Sequence, residues 1–500
     1  MRLTQSANWS FAEFGLSTAL RNILALILTL FLLTVLSAQT TPLSQSLVLT
    51  HVTVIDMTGT PAKPDQTVVI TNGHILTLGK SGELSLPQNS QIIDASGKFL
   101  IPGLWDMHAH TVYERADDTE KTLLPLFIVN GVTGIRNPGS INSLDQINRW
   151  RKAAAEGKLI APRIVIGQQV DGVGGDTASF VYRVKGETEA RAAVDRIKRE
   201  GFDFVKVYSR LSRSEYFAIV DEAKRLGIPF EGHVPLAVND GEASDAGQKS
   251  IEHLEGMQVS VSSDEVRIRK EWLGYEAKLK ALNGKPAPPE LEEQQFRLVA
   301  ESMNTYDAEK ADRLYTLFAR NGTYHCPTLV IHQAWGSLLN PAFFNDPRLR
   351  YLPKRQRRVN FYTDPARSWS AERKTLVQRL YAYRLRMVGE MNRAKVKLLA
   401  GTDTSSGYPV AGFALHDELA LLVQAGLSPV EALQTATINA AEFLGLKESL
   451  GTIEAGKLAD LVLLDANPLA DINNTRKIFA VIANGRYLPK EELQKIIRKI

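Results

Sequence analysis

Between Gly103 and about Asp403 the chain repeats one pattern eight times: a short apolar segment, then a stretch of helical composition. The segments are the run ending at His110 and residues 131–137, 162–168, 202–208, 228–233, 249–253, 323–330 and 396–403. Strands separated by helices pair in parallel, because a parallel neighbour is reached only through a long crossover, and eight such units close into a barrel. The expected fold is therefore α/β, a (β/α)8 TIM barrel. The flanks read differently. Residues 52–55, 67–70, 74–76 and 91–93 are short β-like runs between glycines, and 460–464 and 479–483 are strongly β with Asn484-Gly485 as a turn. The C-terminal runs have no place in a filled barrel, so they are expected to join the N-terminal ones in a small β-sandwich. The domain boundaries are then 39–100 and 446–500 for the two parts of the sandwich and 101–445 for the barrel. Helical insertions are expected near 256–321 and 333–395. Both follow the ends of strands where barrel active sites lie, which admits a lid or wall over the site as well as plain solvated helices. The basic run Lys354–Arg358 reads as a solvated face.

Composition narrows the function. Lysine and arginine total 59 against 55 acidic residues in 500, a net charge of +4 that gives no argument for nucleic acid. Cys326 is the single cysteine, which excludes an intrachain disulfide framework and a thiolate zinc site. Any metal must be held by nitrogen and oxygen. At the N-terminus, Arg21, the apolar run Ile23–Leu36 and Ser37-Ala38-Gln39 have the layout of an export signal, in a run shorter than the ~20 residues that span a bilayer. Residues 1–38 are read as a signal peptide, with an uncleaved membrane anchor as the alternative. The stretch before Arg21 is long for a signal. The expected location is outside the cytoplasm, periplasmic or extracellular.

His108 and His110 carry the most chemistry. Side chains two apart on an extended strand point the same way, so both imidazoles can grip one cation. Other polar residues, costly to bury, recur at the expected strand ends: Lys206, sharing a face with Phe204 and Tyr208, then His233, His253 and Asp403. Each alone has an ordinary structural reading. Together they mark a metal site at one mouth of a barrel.

The runs Pro102–His110, Glu252-His253, Gly401-Thr-Asp403 and Gly451–Asp465 resemble the amidohydrolase superfamily, in its imidazolonepropionase-like and proline-dipeptidase-like branch. The likeness extends over about residues 47–487 and identifies the family more sharply than the substrate. It implies that His108, His110 and Asp403 hold a first metal and that His233 and His253 belong to the same site. It further implies that Lys206 becomes a carboxylated lysine bridging a second ion. One-metal members use His108, His110, His233 and Asp403 and leave His253 near the substrate; two ions are the favoured reading. Zinc suits the donors, with manganese, iron or cobalt close behind.

The chemistry expected is hydrolysis of a C–N bond by water that a metal acidifies, with Asp403 as proton shuttle and no serine nucleophile. Tyr208, His325 and Arg136 are the substrate-binding candidates, each with packing or ion pairing as the alternative. The glycine-rich run Gly172–Asp176 reads as an active-site loop. Substrates considered are a small amide, a cyclic amide or a dipeptide of Xaa-Pro type, with deamination as a further option. A non-catalytic binding protein is set aside because Asp403 and the histidine pair are intact. The expected partner is a small molecule or dipeptide, with membrane contact only through the N-terminal segment and homo-oligomerisation left open.

Overall fold

A computed structural model describes residues 46–111, 116–174, 179–282, 286–337, 345–352, 369–404 and 408–500. The N-terminal signal or anchor, Lys354–Arg358 and the last part of the Gly172–Asp176 loop lie outside the described residues. Among those described, no helix is long and apolar enough to cross a membrane.

Five strands come first: β1 (Leu47–Val54), β2 (Lys63–Thr71), β3 (His74–Lys80), β4 (Gln91–Asp94) and β5 (Phe99–Pro102). Eight follow in the central region: β6 (Leu104–Asp106), β7 (Val132–Asn137), β8 (Arg163–Gly172), β9 (Tyr182–Val184), β10 (Phe204–Val207), β11 (Phe230–Gly232), β12 (Ser250–Glu252) and β13 (Tyr324–Cys326). The last are β14 (Leu461–Leu464), β15 (Ile478–Ala483) and β16 (Arg486–Pro489).

Strands from both ends of the chain pair in one hydrogen-bonded sheet, β16-β15-β14-β5-β1-β2-β3, with β4 also on β1. The sequence led us to expect two facing layers; the pairing is that of a single eight-stranded sheet. Its two faces follow the period of two. Leu461 and Leu463 pack with Val52 and Ile70, whereas Val462 and Leu464 join the core of the helical domain.

The central strands form a curled parallel sheet in the order β13-β12-β11-β10-β8-β7-β6, with β9 beside β8. Residues 396–403, expected as a regular strand, and the following Thr404 join its two edges through isolated bridges: Leu398 to His325 and Thr404 to Ala109. The ladder there is irregular because Asp403 takes a left-handed φ of 52°. The expected strand ending at His110 is two elements. β5 pairs with β1 and β14 in the small sheet, and after Gly103 the chain enters the curled sheet as β6.

Two further expectations are corrected. Residues 329–330 are helical, not strand: after Thr328 (φ 46°) the helix Leu329–Ser337 starts, and the buried Glu418 carboxyl accepts from Leu329 N (2.9 Å) and Val330 N (2.8 Å). The single helix expected over 429–444 breaks into Pro429–Thr435 and Ile438–Phe443. At the break Ala436 O accepts from Trp105 N (2.8 Å) and Thr435 O from Ala400 N (3.2 Å), so these carbonyls serve amides of the curled sheet instead of a continuous helix.

Among the described residues, both insertions contain helices. Glu265–Ala281, Pro289–Asn304 and Ala308–Asn321 fill the first and Ala371–Arg393 dominates the second. They are tied together by Arg373 to Glu292 (3.0 Å), Arg379 to Asn304 (2.8 Å) and Tyr306 to Glu390 (2.9 Å).

Burial pushes the Glu418 carboxyl up to about 8 from 4.5, its two amide donors opposing the shift. The folded state then holds a proton that the unfolded chain has released, so between roughly those values stability falls as pH rises, and the slope vanishes above them. Urea unfolding at pH 5, 7 and 9 should show this decline in the wild type and a weaker one in Glu418→Gln.

Candidate active site

His108 and His110 follow β6, where the chain bends at Met107 and His108, with Ala109 bridged to Thr404 between them, and their rings lie 5.2 Å apart. His110 Nδ1 faces Gly139 O at 2.9 Å. A carbonyl only accepts, so Nδ1 carries the proton and Nε2 turns its lone pair toward Asp403 Oδ1, 3.2 Å away. His108 Nε2 is 3.6 Å from the same oxygen. His253, just after β12, stands 4.4 Å from the His108 ring and 4.9 Å from His233, which follows β11. His253 Nδ1 pairs with Thr328 Oγ1 (2.8 Å) and His233 Nδ1 with Ser209 Oγ (2.6 Å), while His233 Nε2 is buried without a partner. Each of these outer hydrogen bonds leaves one ring nitrogen aimed inward.

Two overlapping groups place one donor atom per residue within 4.8 Å of one another: His108, His253 and Asp403, and His233, Glu252 and His253. Burial holds His108, His233 and His253 well below the usual histidine range, with Lys206 repulsion adding to it. Neutral rings, fixed orientation and a nitrogen and oxygen donor set suit a divalent cation without thiolate.

Beneath the rings lies a buried charge network. Lys206, inward on β10 with Phe204 as expected, contacts Glu252 Oε2, which is also 3.1 Å from His108 Nδ1. Burial first, and Arg136 second, lower the Lys206 ammonium to about 7. Arg136 binds Glu252 Oε1 (2.6 Å), Glu231 Oε2 (2.5 Å), Ser250 Oγ (3.0 Å) and Met107 O (2.5 Å). Asp106 accepts from Thr402 Oγ1 (2.6 Å), Thr402 N (3.1 Å) and His108 N (3.2 Å), locking the first and last segments together, and burial raises it to about 7.

The structure thus brings His108, His110, Lys206, His233, His253 and Asp403 into one cluster. Tyr208 stacks on His233 at 4.1 Å, beside the cluster. Two substrate-binding expectations are corrected. Arg136 is fully buried and spends its donors on Glu231 and Glu252, so it holds the protein's own carboxylates. His325 faces the helical layer: its ring packs 4.5 Å from Phe318, both nitrogens are buried without partners, and burial lowers it to about 3. On the opposite face Cys326 points inward toward Gly401, where a Cβ would lie 2.4 Å from its sulfur.

Sequence reasoning assigned no role to Glu231, Glu252 or Asp106. Glu231 stands two before His233, and strand alternation was a signal that could have placed it inward. Glu252 and His253 are adjacent and would face opposite ways on a regular strand. His253 adopts φ 63°, which turns both toward the centre.

Residues 99–488 match the model of the amidohydrolase family. The chain belongs to that family. Curated relatives include the imidazolonepropionase of Thermoplasma volcanium, 42% identical over 74 residues, which are 13% of this chain and 17% of that protein. The 5'-deoxyadenosine deaminase of Methanobrevibacter smithii is 42% identical over 74 residues, 14% of this chain and 17% of that one. The chain's match therefore spans about a sixth of these relatives' length. Over the whole fold it resembles a putative prolidase from Bifidobacterium longum (TM-score 0.63, 23% identity, covering 92% of this chain and 99% of that one). A Xaa-Pro dipeptidase with bound methionine is comparably similar (TM-score 0.62, 22% identity, 89% and 100% covered).

Replacing Arg136 by Met should cost about 3–5 kcal/mol in urea unfolding, since Glu231 would be left buried without its counter-charge and Glu252 with Lys206 alone.

Proposed function

We propose that the chain is an exported amidohydrolase, built on a (β/α)8 barrel, that hydrolyses the C–N bond of a small amide, with a dipeptide of Xaa-Pro type as the favoured substrate. The convergence of His108, His110, His233, His253 and Asp403 around Lys206 carries this reading. The dipeptide choice draws on the prolidase-like neighbours. The stretch shared with imidazolonepropionases favours a cyclic amide as the second reading.

His108, His110, His233, His253 and Asp403 would hold divalent metal, zinc by donor type, at two positions with a carboxylated Lys206 between them. A Lys206 ammonium lowered to about 7 leaves part of the amine neutral at physiological pH, and only the neutral amine adds to carbon dioxide. When bound, the cation supplies Lewis-acid polarisation of the scissile carbonyl and acidification of water. Asp403 is the more open carboxylate, 17% exposed against 0% for Glu252, so it is the one able to meet substrate. Its Oδ1 takes the proton of the attacking water and returns it to the leaving nitrogen. The Tyr208 ring is held against His233 beside the cluster, which keeps it a candidate for substrate contact. Export draws on the basic, apolar and small-residue order of residues 21–39.

Elemental mass spectrometry should find about two metal ions per chain, with dipeptide hydrolysis. Asp403→Asn should fold normally and lose about 10²–10⁴-fold in kcat. Lys206→Ala should drop the content toward one ion; two ions retained would remove the lysine bridge. The N-terminal sequence of exported protein should begin near Gln39.

A further inference from the structure

The helix Ala371–Arg393 gives no donor to the cluster, yet Arg384 reaches it through one intermediary. Arg384 Nη1 donates to His332 Nδ1 (2.6 Å), and His332 Nε2 donates to His253 O (2.7 Å). The carbonyl fixes the His332 tautomer, with the proton on Nε2 and the lone pair on Nδ1 facing the guanidinium. Arg384 is thereby held in one pose, two hydrogen bonds from His253.

Its remaining donors are unspent. Arg384 Nε is buried and has no partner, and among the described residues Arg384 forms no ion pair. Other arginines of the same helix are used: Arg373 pairs with Glu292 and Arg386 with Glu390. A buried guanidinium N–H without an acceptor is expensive, and the Nε–Nη2 edge is the one that forms two parallel hydrogen bonds to a carboxylate. The surroundings open toward the cluster. Glu255, two residues beyond His253, keeps 58% of its side chain accessible and stands 3.9 Å from His233. It also feels the charges of Arg384, Asp403 and Lys206, so Arg384 and the cluster act on the same accessible carboxylate.

We propose that Arg384 anchors a free carboxylate of the substrate, such as the α-carboxylate of a dipeptide or N-acyl amino acid, through its Nε–Nη2 edge. The inference rests on the amidohydrolase reading above and narrows its substrates to amides with a carboxylate near the scissile bond. His332 is a positioning residue that aims the guanidinium.

The test compares alanyl-proline with alanyl-prolinamide on the zinc-loaded full chain. The wild type should favour the free acid by about 10²-fold in kcat/KM, the scale of an unpaired buried ionic partner. In Arg384→Met that ratio should collapse toward one, and Arg384→Lys, which keeps charge without the fork, should fall between. A purely structural arginine would depress both substrates alike and preserve the ratio, overturning the proposal, as would a wild type with no preference. If the wild type cleaves neither compound, the dipeptidase reading fails by itself and the anchor is read by binding. Proline should then raise Tm more than prolinamide in the wild type and not in Arg384→Met; equal shifts would overturn the anchor.

Discussion

The contact of Glu252 with Lys206 and Arg136 is the constraint on which the site depends. Four strands contribute to it: β7 through Arg136, β10 through Lys206, β11 through Glu231 and β12 through Glu252. Ions in a protein interior pay a desolvation cost that is met only when every charge and remaining donor has a partner. Here Arg136 satisfies two carboxylates, a hydroxyl and the Met107 carbonyl at once. Such a network admits little sliding of one strand past the next; His233 and His253 stand directly beyond it after β11 and β12, and His108, after β6, lies against Glu252. Rigidity of the rings is inherited from the charges below them.

Backbone strain does the rest. His253 and Asp403 sit at φ 63° and 52°, a region that costs most residues energy and that histidine and aspartate enter more readily. At Asp403 the turn directs its amide to His108 O (2.7 Å), so the last segment is pinned to the first where the donors meet. Gly232 has φ 134°, and a Cβ there would lie 2.3 Å from Val207 O and 2.8 Å from Lys206 Cδ. A glycine before His233 is what lets Lys206 and the ring occupy neighbouring space.

These observations explain what was legible in the sequence. Period-two alternation gave the inward face of β10, with Phe204 and Lys206 together, and paired His108 with His110. Apolar runs located every strand of the curled sheet except the short β9. Alternation failed where the backbone leaves the β region: Glu252 was masked by the left-handed His253, and residues 329–330 look like strand but are helix because Glu418, 88 residues further on than Val330, caps their amides. His325 illustrates a different failure. A register of alternating faces does not say which face is inward, and only the neighbouring Cys326 contact with the Gly401 segment decides it. The β-rich ends were recognisable as partners, whereas whether their strands form one sheet or two depends on edge pairing that no local pattern encodes.

Charge balance links the network to the proposed chemistry. Glu231, Glu252 and Asp403 against Lys206 and Arg136 leave the centre one negative charge in formal terms, with the histidines neutral. One divalent cation changes that to a single positive charge, which nearby carboxylates and substrate can accommodate. A second would leave three positive charges in a buried site if Lys206 stayed an ammonium, with strong mutual repulsion. Under that proposal, converting Lys206 from a cation to a carbamate anion would lower the total by two and would supply oxygen donors in place of an ammonium that repels metal. On the proposed two-metal reading, occupancy of a second position and modification of Lys206 would be one linked equilibrium, and Glu252, freed from its lysine partner, would still pair with Arg136. A substrate carboxylate on Arg384 would then add negative charge at the rim of a centre left slightly positive, so electrostatics and the guanidinium edge favour the same class of ligand.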